Sequence, residues 1–128
     1  MKRIVGTISA QVIALLGLNI PDNTPIFLGD SNVEHMQSRH LKDFEKYGCH
    51  ISDILKSPDY VARNPKDQSI EYVKEYKIDE EYVKVAVRIS NSGTFYARSL
   101  YVLNSGRVNR FIRRGTLLPV SKKDSMKA

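Results

Sequence analysis

The chain has 128 residues, 41% hydrophobic and 27% charged, with a formal net charge of +6 and a pI near 9.5. That length suits one domain with one hydrophobic core and is too short for two ordinary ones, and the composition excludes a disordered chain. The lone cysteine excludes an intramolecular disulfide framework and fits a reducing, cytoplasmic setting, while the basic balance points to a polyanionic partner.

In chain order, residues 2–8 suit a short strand. Met1, Lys2 and Arg3 ahead of an apolar stretch have the outline of a signal peptide, but Gly6, Thr7, Ser9 and Gln11 break it early. The longest apolar run, residues 12–18, is interrupted by glycine and falls short of a bilayer span, so no membrane partner is expected. Ser9 reads as the N-cap of a first helix over 10–16 that Gly17 stops. PDNTP at 21–25 is a turn, and Ile26, Phe27 and Leu28 form an apolar segment leading into the main helix.

That helix is expected over 30–48. Ser31 and Glu34 have capping-box spacing, and Gly48 supplies a left-handed stop. Val33, Met36, Phe44 and Tyr47 recur on one stripe, because each residue advances about 100° around the axis. His40 falls in the middle of the stripe, with His35 and Arg39 on a flank. Such a histidine is either a core residue with both ring nitrogens satisfied or a general acid or base whose burial fixes its tautomer.

After Gly48, Ile51, Ile54 and Leu55 mark a second short helix, and the Ser57-Pro58 pair ends it while offering the cap of a further helical turn through Tyr60 and Val61. Residues 64–68 are loop. From Ile70 the period falls from 3.6 to 2: Ile70, Tyr72, Lys74 and Tyr76 alternate against Glu71, Val73 and Glu75. Val83, Val85, Val87 and Ile89 then line one face of a strand, with Tyr82, Lys84, Ala86 and Arg88 on the other. Asn91, Ser92 and Gly93 form a hairpin turn. In the returning strand Tyr96, Arg98, Leu100 and Val102 alternate against Phe95, Ala97, Ser99, Tyr101 and Leu103, and both sets are partly apolar. Residues 104–106 read as a turn and 108–112 as a last strand. The expected fold is therefore α+β, with N-terminal helices packed on a roughly four-stranded antiparallel sheet whose other face is left partly open and carries Lys84 and Arg88.

One domain is expected over residues 1–120, with a basic C-terminal tail at 121–128. Arg107, Arg110, Arg113, Arg114, Lys122, Lys123 and Lys127 crowd the C-terminal part, where Asp124 is the only acid, and serve either solubility or phosphate binding. Cys49 beside His50 matches no zinc spacing, so neither a metal site nor another cofactor is expected.

Four features in this order carry a resemblance: the opening around Val5 and Gly6, the His35-Met36-Gln37-Ser38-Arg39-His40 helix motif, Ser57-Pro58-Asp59-Tyr60-Val61, and the closing hairpin with Ala97-Arg98-Ser99-Leu100-Tyr101. No one of them is specific alone. Together they resemble the phage-associated branch of the barnase, EndoU, colicin and RelE-like nucleases over most of the chain. The resemblance implies a small metal-independent endoribonuclease of prophage or toxin type. Its partners would be RNA, with tRNA among the candidates, and an inhibitor or immunity protein.

Metal-free cleavage needs a base for the 2′-OH proton, an acid for the leaving 5′ oxygen and cationic donors for the phosphate. Candidate catalytic residues are His35, His40, Arg98, Ser99 and Tyr101, with His40 and Arg98 expected in one site. Candidate RNA and phosphate contacts are Arg39, Lys84, Arg88, Tyr96, Arg110 and Arg113, and Tyr96 with Phe95 either stacks a base or packs the core. No acid stands at an obvious site position, so the mechanism is expected to rest on histidine. A non-catalytic RNA-binding protein of the same fold and a phage structural or partner-docking protein are the alternatives.

Overall fold

The alternating run that begins at Ile70 builds the centre of a mixed sheet. The computed structural model describes residues 1–121, so the tail expected at 121–128 lies, from Lys122 on, outside the described residues. The elements are β1 (Lys2–Ile8), α1 (Ala10–Leu16), β2 (Thr24–Gly29), α2 (Asp30–Arg39), α3 (Leu41–Tyr47), a 3-10 turn (Gly48–His50), α4 (Ile51–Lys56), β3 (Tyr60–Arg63), β4 (Ile70–Tyr76), β5 (Glu81–Ile89), β6 (Phe95–Leu103), α5 (Ser105–Arg113) and β7 (Leu118–Pro119). The mixed α+β class is as expected. Among the described residues, however, the sheet has seven strands in the order β1-β2-β6-β5-β4-β3-β7, not about four. All neighbours are antiparallel except β2 and β6, which pair in parallel through Ile26 with Phe95 and Phe27 with Tyr96. Two of the added strands, β3 with 4 residues and β7 with 2, are too short for a periodicity argument, and the segment read only as apolar at 26–28 is part of β2.

Val83, Val85 and Val87 are fully buried as their spacing requires, but Ile89 at the strand end is 54% exposed. In β6 the phase changes. Ala86 faces Ser99 while Val87 faces Ala97, which leaves Arg98 as the extra residue of a β-bulge. Phe95 and Ala97 before it, and Leu100 and Val102 after it, all pack into the main core. Apolar residues therefore occur at both parities of this strand, and the expected grouping of Arg98 with Leu100 and Val102 does not hold.

Helices α1 to α4 cover the valine face of the sheet. Ser9 Oγ accepts the Val12 N–H at 3.3 Å, and Gly17 ends α1 at φ 65. The helix expected over 30–48 is two helices broken at His40, whose backbone (φ −144, ψ 64) is not helical. Its start is also different: Asn32 Oδ1 accepts the Gly29 N–H at 2.8 Å, so Asn32 does the work assigned to Ser31 and Glu34. Met36 and Tyr47 are buried, with Val33 and Phe44 packed beside them, so the stripe itself is real. The break turns His40 out of it and leaves His40 exposed. Gly48 is not a left-handed stop, since its φ is −58 and the chain continues through the 3-10 turn into α4. A glycine fits there because a Cβ would meet the Phe44 ring at 3.0 Å.

Two further corrections reshape the other face. Ser57 and Pro58 introduce β3, not another helical turn. Residues 105–113 are a helix, not a last strand: Asn104 Oδ1 caps it by accepting the Arg107 N–H at 3.1 Å. Val108, Phe111 and Ile112 then fall on one side at helical spacing and pack on Ala62, Val73, Tyr82 and Leu103. Thus α5 closes one end of the face expected to be open.

Candidate active site

Strand register decides which polar side chains share the face that α5 only partly covers. Val73, Lys84 and Tyr101 form one cross-strand row, and Glu71, Ala86 and Ser99 form the next. Ala62 stands opposite Glu71 on the far side. Flanked by two alanines, the Glu71 carboxylate has room to turn toward Lys84, diagonal to it across the strand pair. Lys84 Nζ lies 3.0 Å from Glu71 Oε2, and the two side chains are only 14% and 16% exposed. Asn64 Nδ2 donates to the same oxygen at 3.3 Å. The Lys84 ammonium also sits 4.7 Å from the centre of the Tyr101 ring. Burial pulls the Lys84 pKa down, but the Tyr101 hydroxyl and the Glu71 charge outweigh it, so Lys84 titrates above the ordinary lysine value.

His40 completes this group from a helix. Beyond Tyr96, β6 has no strand on its β2 side among the described residues, and α2 and α3 pack along that edge. Asp43 in α3 accepts the Val102 N–H at 3.0 Å, satisfying an edge donor and seating the helix pair. The break at His40 then lays its imidazole on Tyr101, with ring centroids 4.8 Å apart and planes 25° from parallel. His40, Tyr101, Lys84 and Glu71 are thus linked by successive contacts. Beside them a cleft of about 520 Å³ is lined by Glu71, Lys84 and Tyr101 together with Arg63, Lys66 and Arg107. One carboxylate among four cations gives the cleft a net positive lining suited to an anion.

A second, wider cleft of about 730 Å³ lies at the other end of β6. His35, Ser90, Tyr96 and Arg98 line it. The Tyr96 and Phe27 rings lie 6.2 Å apart, and Lys2 Nζ is 4.6 Å above Phe27 and 5.8 Å from the Tyr96 ring.

The residues picked from sequence therefore divide. Tyr101 and Lys84 line the first cleft, with His40 stacked on Tyr101, and Ser99 is half-buried one row away. His35, Tyr96 and Arg98 share the second, so His40 and Arg98 do not meet as expected. Arg88 is exposed opposite Tyr96. Lys84 is enclosed and ion-paired, not displayed on an open face. Phe95 packs the core. Arg39, Arg110 and Arg113 are exposed and line neither cleft. Glu71, Arg63, Lys66 and Arg107 line the first cleft and were not singled out from the sequence, so that cleft holds a carboxylate where none was expected at a site position. The only trace of Glu71 in the sequence is its parity in β4, which becomes informative once β4 is registered against β5.

Among the described residues, no three or more His, Cys, Asp or Glu side chains form a metal-ligating group, and no helix is long and apolar enough to cross a membrane. Compared with known families, residues 2–110 match the model of phage-Barnase-EndoU-ColicinE5/D-RelE like nuclease 3. No curated protein and no solved structure matches the chain.

Proposed function

Because the chain belongs to the phage-Barnase-EndoU-ColicinE5/D-RelE like nuclease 3 family, and is a nuclease of that type, we propose that it is a metal-independent endoribonuclease whose catalytic groups are Glu71, Lys84, Tyr101 and His40. The observation that carries this reading is the continuous contact from His40 through Tyr101 and Lys84 to Glu71 beside a cation-lined cleft.

In-line cleavage needs a base and an acid on opposite sides of phosphorus with positive charge between them. Glu71 and His40 stand at the two ends of the group, and Lys84 and Tyr101 lie between. The Glu71 carboxylate takes the 2′-OH proton, the 2′ oxygen bonds to phosphorus, and the bond from phosphorus to the 5′ oxygen breaks. A His40 imidazolium gives its Nε2 or Nδ1 proton to that oxygen. The products are a 2′,3′-cyclic phosphate and a free 5′-OH. Lys84 exchanges its Glu71 partner for the phosphate as charge builds there, aided by the Tyr101 hydroxyl and by Arg63 and Arg107 in the cleft wall. RNA is favoured over DNA because the nucleophile is the substrate's own 2′-OH.

Purified protein incubated with RNA or DNA in excess EDTA tests this. We expect RNA alone to be cut, leaving 2′,3′-cyclic phosphate ends. Cleavage of DNA, cleavage that EDTA abolishes, or 5′-phosphate ends would each overturn it. A non-catalytic RNA-binding protein would use the same cation-lined cleft, and RNA bound but left uncut in this experiment would identify it.

A further inference from the structure

The cleft of His35, Tyr96 and Arg98 takes no part in the proton transfers above, yet it carries the groups that hold a nucleotide. We propose that it is a second nucleotide subsite, in which a base of single-stranded RNA stacks on Tyr96 while Arg98 and His35 hold its phosphate; this rests on RNA being the substrate.

Three observations point there. First, Tyr96 and Phe27 stand side by side on adjacent strands with their rings 6.2 Å apart, and Tyr96 is only half-buried although it is a large aromatic. The Lys2 ammonium over both rings marks the π surface as open to a cation or a flat ligand. A base stacking there replaces that ammonium, which is free to swing to a phosphate. Second, the bulge at Arg98 takes its guanidinium out of the regular alternation and leaves it exposed at the same cleft as His35 from α2. Arg98, His35 and Lys2 place three donors suited to phosphate around one aromatic surface, while the one carboxylate lining the cleft, Asp30, is already paired with the N-terminal ammonium. Third, about 730 Å³ falls within the range of small-ligand clefts.

Position sets the role. Tyr96 lies five residues before Tyr101, about 15 Å along the strand. A nucleotide seated on Tyr96 is therefore not one of the two joined by the scissile phosphate. The cleft would grip the chain at a distance, and stacking on an aromatic requires a base free of its own duplex. The subsite then selects unpaired RNA and contributes affinity where the catalytic group contributes rate.

The test uses binding alone, so it is independent of whether the protein cuts. A fluorescent 2′-O-methyl octanucleotide, which cannot be cleaved through its 2′ oxygen, is titrated as a single strand and as a duplex with its complement. We expect Tyr96→Ala and Arg98→Gln each to weaken single-strand binding about tenfold. Duplex binding should change by less than about twofold, and Tyr96→Phe should restore the single-strand affinity. Because Arg98 is exposed, its variant tests the cleft even if Tyr96→Ala perturbs folding. Equal losses for single strand and duplex, or no loss in either variant, would overturn the subsite. Absence of RNA cleavage by the wild-type protein would instead sink the catalytic reading and leave this binding result to be judged on its own.

Discussion

Glu71 and Lys84 are ion-paired in the cleft wall with only 16% and 14% of their side chains exposed. Removing one leaves the other enclosed without its counter-charge, whereas removing both leaves two neutral side chains that pack. We therefore expect Lys84→Met to lower stability by about 2–4 kcal/mol, and the Glu71→Gln, Lys84→Met double variant to recover much of that loss in a denaturant titration while remaining inactive. His40 is the opposite case. It is exposed and outside the core stripe, so His40→Ala should leave the melting temperature nearly unchanged and reduce RNA cleavage by about two to four orders of magnitude. A stability loss with full activity would return His40 to a packing role.

At the scale of elements, the site depends on how α3 is fastened to the open edge of β6. Asp43 accepting the Val102 N–H is that fastening, one residue from Tyr101 and three from His40. We expect Asp43→Ala to lower kcat about tenfold with little change in KM, because the imidazole loses its orientation and no substrate contact is removed. Asp43→Asn keeps an acceptor oxygen and should recover most of the rate, which a purely structural role for the charge would not allow. Much at this scale was legible in the sequence: Ser9 and Gly17 bound α1, the valine run makes β5, and Ile51, Ile54 and Leu55 make α4. The rest was hidden for physical reasons. Val108, Phe111 and Ile112 stand at helical spacing, but three residues in so short a stretch are too few to fix a period, and the Asn104 cap decides for helix. Likewise His35 and His40 were visible as candidates, but the helix break that lays His40 on Tyr101 while His35 lines the second cleft arises in tertiary packing. Glu71 had no motif around it and becomes a candidate only once strand pairing sets it beside Lys84.

For the whole molecule, alkaline pH exposes a cost stored in the tyrosines. Burial, with the Glu81 carboxylate beside it, pushes the Tyr47 phenol up to about 12. Burial also raises Tyr76 to about 12 and holds Tyr72 well above the ordinary phenol range. Each group is neutral in both folded and unfolded chains below its unfolded value of 10.0, so the stabilisation is complete there. Between that value and about 12 the unfolded chain sheds protons that the folded one retains, and folding weakens as pH rises. Thermal melting should therefore fall steadily over that window, and tyrosinate absorbance should appear together with unfolding. Melting that is flat across the window would show that these phenols ionise in the folded state.

The single unpaired residue of β6 bears on how this strand can change length. Phe95, Ala97, Leu100 and Val102 point inward only because Arg98 absorbs one step. If Arg98 is excised, Ala97 is followed directly by Ser99, and inward and outward residues alternate without interruption from end to end. A chain shortened by this one residue should fold, with a straighter ladder and its apolar face intact, as judged by cooperative unfolding. One residue inserted between Leu100 and Tyr101 should do the reverse, turning Tyr101 toward the valines and Val102 toward the cleft. The strand thus accepts a change of length at one place and resists it a few residues away, so shortening and lengthening at the two points are the measurement that checks where the phase is held.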